Sequence, residues 1–108
     1  MTDVPEPIAT MRDAINRGDW PGFIACFGSD PVVDDWGDRY AGVAAIKGWS
    51  DRELIGAKGT LTITRVLRAS ATEVVLDTDW TSSFFTGPGR FTVTIKDGKI
   101  AVLRISEI

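Results

Sequence analysis

Apolar side chains recur along this chain with two periods, and the change from one to the other divides it. Ile8, Met11 and Ile15 fall three and four residues apart, which predicts one apolar stripe on a helix opening near Pro5 or Glu6 and stopped by Gly18. Asp19 stands where an N-cap would, ahead of a short second helix with Pro21 in its first turn. Phe23, Cys26 and Phe27 share a face of that helix, and Gly28 closes it. Ser29-Asp30-Pro31 reads as a turn into a short strand, Val32 to Trp36, which two carboxylates, Asp34 and Asp35, bring toward its end. Gly37-Asp38 suits a two-residue type II′ turn, and Arg39-Tyr40-Ala41 returns from it. Val43 to Glu53 predicts a third helix with Ile46 and Trp49 on one side, and Ile55 to Gly59 a loop. Gly48 inside that helix costs about 1 kcal/mol against Ala, which packing beneath a ring would explain.

From Thr60 onward the period falls to two. Thr60–Leu67, Glu73–Phe85, Arg90–Lys96 and Lys99–Ile105 read as strands. They are separated by Ala69-Ser70-Ala71, by the breaker Thr86-Gly87-Pro88-Gly89, and by Asp97-Gly98, a strong type I′ hairpin signal. Helices first and a meander afterwards predict an α+β fold, with about three N-terminal helices packed on one face of an antiparallel sheet. The 108 residues make one domain, 1–108.

Composition then removes function classes. The formal net charge is −3, and Lys and Arg are scattered, so neither nucleic acid nor an anionic membrane is expected as a partner. No apolar run approaches the roughly 20 residues a membrane span needs, and the N-terminus lacks signal-peptide character, so a cytoplasmic location is expected. There is no histidine and Cys26 is the one cysteine, which excludes disulfide scaffolds and Ser-His or Cys-His nucleophiles. No metal site and no cofactor are called for. Acid–base chemistry falls to carboxylates, Tyr40, lysine or water.

Asp35 leads the candidates. By strand alternation Val33 and Asp35 face one way and Asp34 the other, so an inward Val33 brings Asp35 inward beside Trp36. Asp35 as a turn cap is the competing reading. Asp77 and Asp79 oppose Leu76, Thr78 and Trp80 on their strand and are expected to point outward, toward Arg90 or Arg104. Trp20 suits a staple between helices. Trp36, Trp49 and Trp80 each fit a core, but together they would line an apolar cavity with few polar groups, the usual character of a small-molecule site.

The order of elements joins particular residues. Ala14-Ile15-Asn16-Arg17-Gly18-Asp19-Trp20, then Asp30-Pro31-Val32-Val33-Asp34-Asp35, then Gly42 with Ala44-Ala45-Ile46, then Asp97-Gly98-Lys99-Ile100 and Leu103-Arg104-Ile105, resemble the nuclear transport factor 2-like superfamily in its SnoaL-like and ketosteroid isomerase-like branches. The resemblance implies a cone-shaped fold, a strongly bent sheet around the helices with a pocket at its open end, and a homodimer packed through the sheet near Thr62, Thr64, Val75 and Val102. Asp35 falls where the isomerase-like branch has its proton-shuttling base, so the resemblance implies a catalytic Asp35. Trp36, Tyr40, Ile46, Trp49, Trp80, Phe91 and Val93 would meet a small hydrophobic molecule. The isomerase's two oxyanion donors fall at Met11 and Phe91, which donate nothing, so ketosteroid isomerase activity is expected near background. The epoxide-hydrolase pattern of two aspartates and an arginine would be met only in part, by Asp35 with Arg52 or Arg65. Two readings stand: an isomerase, cyclase or hydrolase type of enzyme with Asp35 as general base, or a non-catalytic ligand-binding or accessory dimerisation domain of the same fold.

Overall fold

A computed structural model describes residues 3–108. Two helices, α1 (Ile8–Arg17) and α2 (Trp20–Ile24), lead into strands β1 (Phe27–Asp35) and β2 (Asp38–Ala41). Helix α3 (Val43–Glu53) follows, and then β3 (Thr60–Ala69), β4 (Glu73–Thr81), β5 (Thr86–Lys96) and β6 (Lys99–Ser106). The strands form one six-stranded sheet in the order β2-β1-β6-β5-β4-β3. All neighbours run antiparallel except β1 and β6, which pair in parallel, so the sheet is mixed rather than purely antiparallel. The long return through the helices and the meander brings the last strand beside the first in the same direction. One face carries Val33, Leu61, Val74, Leu76, Phe91, Val93 and Leu103 into a core shared with Ile8, Met11 and Ile15 of α1, Phe23 of α2 and Ile46 and Trp49 of α3. The architecture is the α+β arrangement the periodicities predict.

Local signals set the helix ends. Gly18 adopts a left-handed conformation, φ 69°, and its N–H closes α1. The Asp19 side chain accepts a hydrogen bond from the Gly22 N–H at 3.0 Å, and this bond, with Arg17 next, holds its carboxyl below the usual range. Asn16 ties α1 to the outer strand: its amide donates to the Leu61 carbonyl at 3.0 Å, and its oxygen accepts from the Leu61 N–H at 2.7 Å. Helix α2 is shorter than its periodicity suggests. It ends at Ile24, and Phe27 already belongs to β1, although Phe23, Cys26 and Phe27 are all buried as expected. The Cys26 thiol is pushed up by burial and donates to the Gly22 carbonyl at 3.4 Å.

Four further expectations change. Ser29-Asp30-Pro31 is not a turn but part of β1, where the register against β6 shifts between Phe27 and Val32. The interrupted ladder is what admits a proline with no N–H to donate. The hairpin turn lies at Trp36-Gly37, not Gly37-Asp38. Both residues have positive φ, 54° and 92°, the requirement of a type I′ turn, and Asp35 pairs directly with Asp38. Strand β4 stops at Thr81, and Thr86 to Gly89 continues β5 instead of breaking it. Pairing with β6 begins only at Arg90, so Pro88 sits where β5 has a partner on one side alone. Gly48, finally, lies under no ring: a Cβ there would sit 3.4 Å from the Arg52 guanidinium, which folds back along the helix.

Candidate functional site

The ends of several elements meet at one end of the sheet and enclose a cavity of about 390 Å³. It is bordered by the close of β1 (Asp35, Trp36), the last turns of α3 (Trp49, Glu53, Leu54), Leu61 of β3, Thr78 and Trp80 of β4, Phe84 and Phe85, Gly87 to Gly89 and Phe91 of β5, and Ile105 of β6. Its size and its apolar lining are those of a small-molecule pocket. The β4–β5 connection that carries Phe84 and Phe85 is shaped by Ser82, whose hydroxyl donates to the Phe85 carbonyl at 2.9 Å and accepts from the Phe84 and Phe85 N–H groups. Both rings are thereby held at the mouth. Trp80 lies against Gly59, where a Cβ would come within 2.6 Å of its ring, so this glycine makes room for the cavity wall.

Three polar side chains stand among the apolar ones of the lining. Asp35 accepts a hydrogen bond from Trp49 Nε1 at 3.0 Å through Oδ2. Glu53, one helical turn beyond Trp49, faces the same carboxylate. Burial raises the Glu53 carboxyl above its usual range, and the charge and hydrogen bonding of Asp35 raise it further, with Asp38 adding to the effect and Arg52 opposing it. Thr78, fully buried, is satisfied by donating to the Gly89 carbonyl at 3.3 Å. The strand parity that turns Asp35 inward therefore brings two carboxyls and one indole N–H together. Asp34 faces the other way and caps the turn, accepting from the Gly37 N–H at 3.0 Å.

Of the residues singled out from the sequence, Asp35, Trp36, Trp49, Trp80 and Phe91 border the cavity. Ile46 and Val93 do not, because both are fully buried in the core behind it. Tyr40 is not part of the lining either. Its ring packs on Trp49 with centroids 6.0 Å apart, so it supports the indole from behind. Glu53, Phe84 and Phe85 were not anticipated. Glu53 lies at i+4 from Trp49 on α3, a spacing that does place two side chains on one face. Phe84 and Phe85 stood inside the expected continuation of β4, where alternation would have turned them to opposite faces.

Other carboxylates are accounted for differently. Asp77 lies on the outer face, and Arg90 grips it with two hydrogen bonds of 2.8 and 3.3 Å, which hold its carboxyl below the usual range. Asp79 is exposed, and neither lines the cavity. Arg52 and Arg65 are likewise absent from the lining, so no aspartate–arginine–aspartate set forms there. Met11 is buried and out of the lining, and Phe91 is a wall residue, so neither supplies a donor. Among the described residues no group of three or more potential ligands could hold a metal ion, and no helix is long and apolar enough to cross a membrane.

The sequence matches no family model and no curated protein. The structure is similar to a candidate polyketide cyclase from Sinorhizobium meliloti at 26% identity, with 96% of each chain covered and a TM-score of 0.83. It is also similar to a computationally designed 17-OHP binder, at 19% identity over 94% of this chain and 87% of the other, TM-score 0.82. A candidate ketosteroid isomerase from Kribbella flavida aligns at 18% identity over 91% of this chain and 72% of the other, TM-score 0.75.

Proposed function

We propose that the cavity binds a small hydrophobic molecule and that Asp35 acts on it as a general base, a reading supported by the nuclear transport factor 2-like fold the chain shares with a candidate cyclase, a candidate isomerase and a designed binder. One observation carries the reading. Asp35 lines an otherwise largely apolar cavity, and the Trp49 N–H fixes the orientation of its carboxylate. An acceptor oriented in this way, in a site that excludes much of the water, is suited to take a proton from a bound molecule. Isomerisation and cyclisation begin with such a step, and base-assisted hydrolysis begins with the same transfer from an attacking water. The candidate cyclase among the similar structures supports this class of chemistry, and the absence of donors at Met11 and Phe91 disfavours steroid isomerisation.

The test is exchange of the α-protons of 2-tetralone, a small apolar ketone, followed by nuclear magnetic resonance in deuterium oxide. The wild-type protein accelerates exchange, and Asp35→Asn abolishes the acceleration while the ketone still quenches tryptophan fluorescence. Quenching without accelerated exchange in the wild type would instead support the second reading, a ligand-binding or accessory domain without chemistry. That reading is favoured by the missing donors and by the designed 17-OHP binder of the same fold. In either case we propose a homodimer, joined through the outer sheet face around Thr62, Thr64, Val75 and Val102, and resident in the cytoplasm. A light-scattering mass equal to one chain at micromolar concentration would remove the dimer.

A further inference from the structure

We propose that the ligand of this cavity is a hydrophobic amine, bound as its ammonium against Asp35 and Glu53 with its apolar body among the rings of the mouth. The inference rests on the cavity being a small-molecule site and is independent of whether Asp35 performs catalysis.

The cavity defines the site, and its charge is one-sided. Its lining holds two carboxyls and no lysine or arginine. Five acids elsewhere have cationic partners, Asp13, Asp19, Asp51, Glu73 and Asp77, while several exposed ones such as Asp30 and Asp97 are left to solvent. Among the described residues Asp35 and Glu53 have no such ion pair. The cation that bears on Glu53 from its own helix is Arg52, whose guanidinium lies back over Gly48. From β2, Asp38 adds negative potential. An anionic ligand would therefore meet uncompensated like charge, a neutral one would gain only its buried apolar area, and a cation would gain both burial and charge.

The walls add a second attraction. Trp36, Trp49, Trp80, Phe84, Phe85 and Phe91 surround the space, and the face of an aromatic ring carries the negative end of its quadrupole. Aromatic walls and two neighbouring carboxyls in one lining together suit an ammonium group on an apolar skeleton. Amine binding also has a proton consequence. Burial and then the charge of Asp35 raise the Glu53 carboxyl, and an ammonium placed between the two acids acts the other way, favouring the ionised form. Amine affinity should thus rise with pH through the Glu53 titration, under the combined fields of Asp35 on β1, Asp38 on β2 and Arg52 on α3.

Three compounds sharing one ring system separate the outcomes: 2-aminotetralin, 2-tetralol and tetralin-2-carboxylate, titrated against the wild-type protein by tryptophan fluorescence at neutral pH. The amine should bind roughly tenfold tighter than the alcohol, and the carboxylate should bind weakest. In the double variant Asp35→Asn, Glu53→Gln the amine-over-alcohol ratio should fall below about twofold. Calorimetry of the wild type at mildly acidic pH, in two buffers of different ionisation enthalpy, should show proton release with the amine and none with the alcohol, a readout that needs no variant to fold. If the alcohol equals the amine, or the preference survives in the double variant, the amine proposal is overturned and the cavity reading stands. If none of the three binds, the cavity reading falls and takes this inference with it.

Discussion

At one end of the sheet Trp20, Phe23 and Phe27 pack in succession, with ring centroids 5.7 and 5.2 Å apart, and Phe23 is fully buried. At the other end Trp36, Phe84 and Phe85 are 55%, 61% and 48% exposed around the cavity. The same class of side chain is used in opposite ways because α1 and α2 cover the first end, while the second is bounded only by strand ends, a turn and the last turns of α3. Polar groups follow the same division. Near the closed end Lys99 satisfies the Ala25 carbonyl at 2.9 Å and Cys26 satisfies that of Gly22. At the open end two carboxyls face each other, served by one indole N–H. Stability should therefore concentrate at the closed end and ligand recognition at the open one, as is common where a site departs from full packing.

The largest effect that would sharpen this contrast is loss of the central closed-end ring. Phe23→Ala should cost about 3–5 kcal/mol in urea unfolding, since it empties a fully buried aromatic site. A loss below 1 kcal/mol would mean that the closed end is loosely packed and the contrast is false.

Next comes the residue common to core and cavity. Trp49→Phe keeps most of the buried ring but removes the donor to Asp35, and should cost about 1–3 kcal/mol, the range for leaving a partly buried acceptor without its partner. It should also lower any Asp35-dependent proton exchange, because the carboxylate loses its fixed orientation. Unchanged stability together with unchanged exchange would show that the indole N–H orients nothing.

A smaller effect separates the two ends through pH. Glu53 binds its proton more tightly in the folded state than at its ordinary value of 4.5. Its contribution to stability is therefore present below that value and lost as pH rises through the raised folded one. Glu53→Gln should accordingly stabilise the protein at neutral pH, by less than about 1 kcal/mol given the screening of a partly exposed group. It should also flatten the fall in melting temperature between mildly acidic and neutral pH. Asp77 behaves oppositely. Arg90 lowers its carboxyl, so that its contribution is present at neutral pH and lost on acidification. Destabilisation by Glu53→Gln at pH 7 would contradict the assignment.

Smallest of all should be Phe84→Ala, within about 0.5 kcal/mol of the parent in stability because the ring is mostly in solvent. Its effect belongs in ligand titrations, where 2-tetralone or 2-aminotetralin should bind more weakly. A stability loss as large as that of Phe23→Ala would make the mouth part of the core.

Much of the framework was legible because it is written in short-range terms. The 3.6-residue period defines α1, and Val43 to Glu53 forms α3 as expected. Asp97-Gly98 turns with positive φ at both residues, and the parity of Val33 and Asp35 alone turns Asp35 inward. These features depend on backbone preference and side-chain direction over a few residues. What tertiary structure decided depends on partners distant in sequence. Pro31 and Pro88 read as breakers locally, yet each lies within a strand because the neighbouring ladder is interrupted or absent at that point. The Glu53 carboxyl looks like any solvated residue at a helix end until the sheet brings Asp35 against it. Phe84 and Phe85 fit a strand by composition, but Ser82 folds them into the connection at the mouth. Local pattern determines which elements form. Strand pairing and the electric field of groups far along the chain determine which side chains share one cavity and which of them binds its proton more tightly.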